Sequence, residues 1–182
     1  MHYAHQQGIV HGNLKPRVVL LKPPGIPKIS SFELARELNQ NPLESEELGA
    51  YVGTPLYTAP EQAAGRIQEI GPATDVHALG NILYQLLVGR PPFREETFGE
   101  LLNKVRSEPP LPPSQLRPEV PRDLEAICLK CLEKDPGHRY SSALALAEDL
   151  GRFQARANRP RHRSFWIRMF RWIRGSPQES GS

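Results

Sequence analysis

Residues 11–21 read His11-Gly12-Asn13-Leu14-Lys15-Pro16-Arg17-Val18-Val19-Leu20-Leu21, and the reading of the chain turns on this stretch. Its second half, Val18 to Leu21, is a short apolar run of the type that forms strands. Pro23-Pro24-Gly25-Ile26-Pro27 follows as a turn, and Lys28-Ile29-Ser30 returns as a second short strand. Upstream, Met1 to Gln7 has helical composition and Gly8 is a natural stop, but no N-cap precedes it. The unit therefore reads as beginning inside an element; one alternative reading makes Met1 an internal methionine of a longer protein.

Downstream the pattern is helical. Residues 37–53 are polar, acidic at Glu44–Glu47 and without periodicity, so they read as a loop. Thr74 or Asp75 can cap a helix that runs to Val88 and is stopped by Gly89 and Pro91-Pro92. Its apolar residues Val76, Leu79, Ile82, Leu83, Leu86 and Leu87 cover most of the circumference, which predicts a helix buried in the middle of the fold. Helices are also predicted over 98–106 and 122–133, separated by a Pro-rich crossing at 109–121. Ser141 or Ser142 caps a last core helix that places Ala143, Leu146, Ala147, Leu150 and Phe153 on one face. The expected fold class is mainly α within the α+β family, with one small β-hairpin near its start.

Composition narrows the class further. A chain of 182 residues with 38% hydrophobic and 24% charged content can bury a core, so a disordered or fibrous chain is excluded. No run of about 18 apolar residues occurs, and the first residues lack the basic and apolar regions of a secretory signal. Nineteen prolines, about double the usual ~5% share, punctuate the chain. Cys128 and Cys131 are too few for a disulfide framework and read as reduced thiols. A C-x-x-C pair can also hold metal or do redox chemistry, but no second pair accompanies it, and its spacing suits one helix face packed in a core. The charge is uneven: residues 1–149 balance at −4, whereas residues 150–182 carry eight arginines against Glu179, a balance of +7.

Five motifs then occur in one order: HGNLKPRVVLL from His11, KISSFELAREL from Lys28, GTPLYTAPEQ from Gly53, TDVHALGNILYQLLVGRPPF from Thr74, and DPGHRY from Asp135. Together they resemble the C-terminal lobe of a bacterial-type serine/threonine protein kinase, over residues 1–155. The resemblance implies a kinase-like C-terminal lobe with residues 156–182 as a separate basic tail. It also implies that the N-terminal lobe is absent, since neither a glycine-rich loop nor a V-A-I-K-type lysine occurs. ATP and magnesium are cofactors of the family, and in it ATP binds between the lobes.

The same resemblance locates departures. Asn13 stands where the family has the aspartate that accepts the substrate's hydroxyl proton, and an amide cannot take that proton at neutral pH. Val18 stands at the second-magnesium position and offers no oxygen ligand; Ser31 stands at the metal-binding aspartate of the next motif and is a poor ligand for a hard dication. Glu33 is a carboxylate two positions later, expected to point elsewhere. Gly12 replaces the arginine that receives an activation-loop phosphate, so Ser45, Tyr51 and Thr54 are candidate modification sites without that anchor. Lys15 is retained at the position that contacts the transferred phosphate, or is simply a solvated lysine, and Thr54 is retained in its motif. Residues that hold shape are also retained: His11 and Phe32 in a hydrophobic stack below the nucleotide site, Glu61 paired with Arg139, Asp75 as acceptor for the residue 11–18 loop, and Gly80.

These substitutions lead to the expectation of a catalytically inactive, protein-binding or scaffold module that needs no cofactor, with docking carried by the helices near 98–106 and 122–133. The alternatives are a serine/threonine kinase whose N-terminal lobe is supplied upstream or by another chain, and a truncated fragment without a role. The tail from Arg163 to Arg174 reads RSFWIRMFRWIR. On a helical wheel it gathers Trp166, Phe170 and Trp172 on one broad face, and Arg163, Arg171 and Arg174 on the other. That is the composition of a basic amphipathic helix lying on an anionic membrane surface. Packing of this face on the body of the protein is the alternative, and no recognised nucleic-acid module accompanies the arginines. The expected location is cytoplasmic, at the inner membrane face if the tail engages lipid.

Overall fold

The computed structural model describes residues 1–32, 36–37 and 55–157. The described part is mostly helical, with two small antiparallel strand pairs. In chain order the elements are α1 (His2–Gln6), β1 (Ile9–Val10), β2 (Val19–Lys22), β3 (Ile26–Ile29), β4 (Arg36–Glu37), α2 (Pro60–Ala63), α3 (Pro72–Val88), α4 (Phe98–Ser107), α5 (Pro113–Leu116), α6 (Arg122–Cys131) and α7 (Ala143–Ala157).

β2 and β3 form the hairpin, with Val19 opposite Ile29 and Lys22 opposite Ile26. A second ladder corrects the expectation of one hairpin and of a loop starting at residue 37: β1 pairs with β4, Ile9 opposite Glu37 and Val10 opposite Arg36. Strands of two residues are too short for alternation to appear in the sequence.

The central helix α3 begins earlier than Thr74, with Gly71 before it and Pro72 in its first turn, where the missing N–H costs nothing. Thr74 instead turns its hydroxyl back to accept the Gly71 N–H at 3.1 Å. At the other end Gly89 adopts φ 93°, the left-handed stop that glycine reaches without strain. α3 is enclosed on most sides, but by polar as well as apolar groups: Thr74, Asp75, His77 and Asn81 are buried with Val76, Tyr84 and Leu87, while Leu86 is exposed.

The main core joins α3, α6 and α7 through Val76, Tyr84, Leu87, Leu124, Ile127, Leu146 and Phe153. α3 crosses α6 at Gly80, where a Cβ would lie 2.5 Å from the Cys131 Cβ. Cys128 and Cys131 are free, buried thiols in this core, and desolvation raises both pKa values, Cys131 to about 12. On α7, Ser142 caps the helix by accepting the Ala145 N–H at 3.1 Å. Its inner face is Ala143, Leu146, Leu150 and Phe153; Ala147, expected there, is exposed, and Ala145 packs inward instead. Thr97 caps α4 with Glu100 in a reciprocal pair. The Pro-rich crossing contains one helical turn, α5, which Pro113 can start because its ring presets the dihedral.

Candidate functional site

The residue 11–18 loop is built on the N-terminal end of α3. Asp75 is fully buried and accepts the His11 N–H at 2.9 Å and the Gly12 N–H at 2.8 Å, one on each carboxylate oxygen. His5 Nε2 reaches the same carboxylate at 2.8 Å. An ionised acceptor is well suited to holding these donors. Between them they fix the chain direction where Gly12 takes φ 70°, a left-handed backbone that favours glycine. The Gly12 carbonyl then accepts a bond from Gln62 Nε2 at 2.7 Å, and Gln62 Oε1 accepts the Ala59 N–H at 3.0 Å. The loop is thereby fastened to both α3 and α2.

His11 is fully buried. Its Nδ1 accepts the Asn13 N–H at 3.2 Å and its Nε2 faces the Ser30 carbonyl at 2.9 Å, so Nε2 carries the proton and donates. The Phe32 ring lies 4.9 Å from the imidazole at 60° and is 40% exposed. Ser31, between these two stations, is exposed and holds φ 64°. A non-glycine residue there stores on the order of 1 kcal/mol or more. Val18 is buried with Leu14 and Ala78 in a small apolar cluster. Asn13 and Lys15 are half-buried. No residue from 11 to 18 carries a carboxylate. What the loop offers chemically is an amide at Asn13, an ammonium at Lys15, an exposed guanidinium at Arg17, the buried His11 imidazole and backbone groups. Thr54, Glu33, Glu44–Glu47, Ser45, Tyr51 and the tail beyond Ala157, including Arg163, Trp166, Phe170, Arg171, Trp172 and Arg174, lie outside the described residues, while Arg156 and Ala157, expected in the tail, end α7.

A second assembly stands behind the first. Glu61 and Arg139 form a two-pronged ion pair, Oε1 to Nη1 at 2.9 Å and Oε2 to Nη2 at 2.8 Å, with both side chains wholly buried. Thr74 donates its hydroxyl to Glu61 Oε1 at 2.7 Å. Arg139 uses its remaining protons on the carbonyls of Glu133, Ala73 and Lys134. Burial alone would raise the Glu61 pKa, but the Arg139 bonds and charge, aided by Thr74, outweigh it and hold the carboxyl below its usual range. Nearby, desolvation and the Arg139 charge push His77 well below an ordinary imidazole, and its Nδ1 lies 3.2 Å from Asn81 Nδ2.

His5 and Gln62 are members of these assemblies that the sequence did not single out, and Thr74, read there as a helix cap, is also the donor to Glu61. His5 is 70 positions from Asp75 and Gln62 is 50 from Gly12, so no local spacing could reveal them. Among the described residues no group of three or more His, Cys, Asp or Glu side chains could hold a metal ion. Among them, too, no helix is long and apolar enough to cross a membrane.

Residues 1–150 match the protein kinase domain family. The chain is 34% identical over 150 residues to the serine/threonine-protein kinase PknB of Mycolicibacterium smegmatis, covering 82% of this chain and 24% of that protein. It is 33% identical over 152 residues to PknB of Mycobacterium tuberculosis, covering 84% and 24%. It is 35% identical over 150 residues to a protein of Streptomyces coelicolor described as a probable serine/threonine-protein kinase, covering 82% and 22%. The chain thus spans about a quarter of the length of the curated relatives it matches.

Proposed function

Because the chain belongs to the protein kinase family, we propose that it is a kinase-like C-terminal lobe that no longer transfers phosphate and acts as a protein-binding or scaffold module in signalling. The observation that carries this reading is the donor set around the residue 11–18 loop. The two family metal positions hold Val18, which is 5% exposed and packed among apolar side chains, and Ser31, a single hydroxyl. Hard dications take several oxygen ligands, carboxylates foremost, so these residues do not fit magnesium. The base position holds Asn13, and losing a general base alone costs about 10²–10⁴ in rate. Phosphoryl transfer depends mostly on positioning and on metal neutralisation of the phosphates, so both losses act on the same step.

Survival of the framework supports a selected binding role over simple decay. The Asp75 cradle and the Glu61–Arg139 pair are intact: Asp75 is held by hydrogen bonds and Glu61 by an opposite charge. α4 leaves Phe98 58% exposed beside its buried Leu101 and Val105, which supplies an apolar contact for a protein partner. The proposed location is cytoplasmic, with the arginine- and aromatic-rich segment around Arg163, Trp166, Phe170, Arg171, Trp172 and Arg174 engaging anionic lipid when membrane is present.

The test is a thermal-shift titration with ATP, with and without magnesium, alongside labelling of a generic protein substrate from radioactive ATP. The expected result is no magnesium-dependent shift and no transfer; ordinary turnover would overturn the reading. A second reading, a kinase completed by an upstream or separate N-terminal lobe, is favoured by one observation: Leu20 and Ile26, on one face of the hairpin, are 54% and 50% exposed, and Leu21, on the other face, is 71% exposed, which leaves apolar surface for a covering domain. Activity appearing only when an N-terminal lobe is joined to the chain would support it.

A further inference from the structure

Helices α6 and α7 leave a groove of about 210 Å³ between them. Ile127 and Phe153 form its apolar floor, and Lys130, Arg152 and Arg156 stand around it. Tyr140 makes one wall, with Lys130 Nζ 4.4 Å from its ring centre. The rim also contains Asp123 and Asp149, which meet Arg156 at 4.0 Å and Arg152 at 3.0 Å. An anionic ligand would face these two carboxylates, and a cationic ligand would face three positive side chains. A neutral aromatic ring meets neither repulsion: it covers the apolar floor and turns its π face to the surrounding cations.

We propose that this groove is the intramolecular seat of Trp166. The segment that contains it leaves the end of α7, the helix that supplies Phe153 and Arg156 to the groove. Trp166 follows Ala157 by nine residues, a reach of up to about 30 Å when extended. Pro160 lies in the intervening sequence, and proline is unfavourable inside a helix. Docking within one chain proceeds at the high effective concentration of a short tether. Residues 1–157, with Arg152 and Arg156 included, balance at −2 and residues 158–182 at +5, an overall attraction between body and tail. In this arrangement the ring that would enter a membrane is held on the body when no membrane is present. The proposal does not depend on whether the chain is catalytic.

Trp166 and Trp172 are the chain's two tryptophans, so intrinsic tryptophan emission reports on this segment alone. The experiment compares the full chain, in lipid-free buffer, with a peptide of residues 158–182. The expected result is blue-shifted emission and several-fold weaker acrylamide quenching in the full chain, both independent of protein concentration. Ala126→Arg, at an exposed position lining the groove, should return both readings to those of the peptide without moving the melting temperature. Should that variant not fold, single-tryptophan chains decide: the shift should survive Trp172→Phe and vanish in Trp166→Phe. Peptide-like emission from the full chain would overturn the proposal. So would protection that persists in a folded Ala126→Arg, protection that follows Trp172, or a shift that grows with concentration.

Discussion

Glu61→Ala removes the counter-charge to which, among the described residues, the Arg139 guanidinium is bonded. The guanidinium keeps its bonds to the carbonyls of Glu133, Ala73 and Lys134, but its charge is then buried without an opposite charge. Breaking one partner of such a buried pair costs about 3–5 kcal/mol. For a chain of this size each kcal/mol lowers the melting temperature by roughly 2–4 °C, so the expected fall is roughly 6–20 °C at pH 7. Glu61→Gln keeps the shape and part of the hydrogen bonding but loses the charge, and should fall between wild type and Glu61→Ala. The pH dependence has a definite sign. The folded carboxyl titrates below its unfolded value of about 4.5, so its contribution is present above that pH and is lost as pH falls through the folded pKa. The gap between wild type and Glu61→Ala should therefore narrow in acid. Circular-dichroism melts at pH 7 and pH 4 provide the measurement. A change under ~2 °C at pH 7, corresponding to less than about 1 kcal/mol, would refute the reasoning.

Three further outcomes are expected. Asn13→Asp alone should not produce phosphate transfer, because Val18 and Ser31 still offer no adequate metal ligands; a radiolabel assay showing activity from that single change would contradict the donor-set argument. His77 is buried with its pKa well below the ordinary 6.5, so stability should fall as pH drops below 6.5, by up to about 1.4 kcal/mol per pH unit, and His77→Leu should flatten that slope in urea titrations. Gly80→Ala should destabilise by about 1–3 kcal/mol, because its methyl would meet the Cys131 Cβ at 2.5 Å; an unchanged urea midpoint would show that α3 and α6 separate freely.

The helices were legible because their apolar residues recur with helical spacing and their ends carry recognisable stops: Gly89 after α3, Ser142 before α7. The hairpin was legible because Val18–Leu21 and Lys28–Ser30 flank a Pro- and Gly-rich turn. The β1–β4 ladder was not, because two-residue strands carry no alternation and their partners are more than twenty positions apart. The exposure of Ala147 was also hidden, since periodicity assigns a face to a helix but not the width of the groove it meets.

Side-chain chemistry belongs to the sequence: an amide at residue 13 and an isopropyl group at residue 18 have the same donor capacity in any fold, and the motif order alone brings the family into view. Tertiary structure decided what those residues rest on. The carboxylate of Asp75 gathers His5, His11 and Gly12; Gln62 closes on the Gly12 carbonyl; and Arg139 draws on Ala73 and Glu133 as well as Glu61. Most of these partners lie 50 to 70 positions apart along the chain. Their meeting follows from burial of the helices against one another, which forces each enclosed polar atom to find whichever donor or acceptor the packing brings within reach.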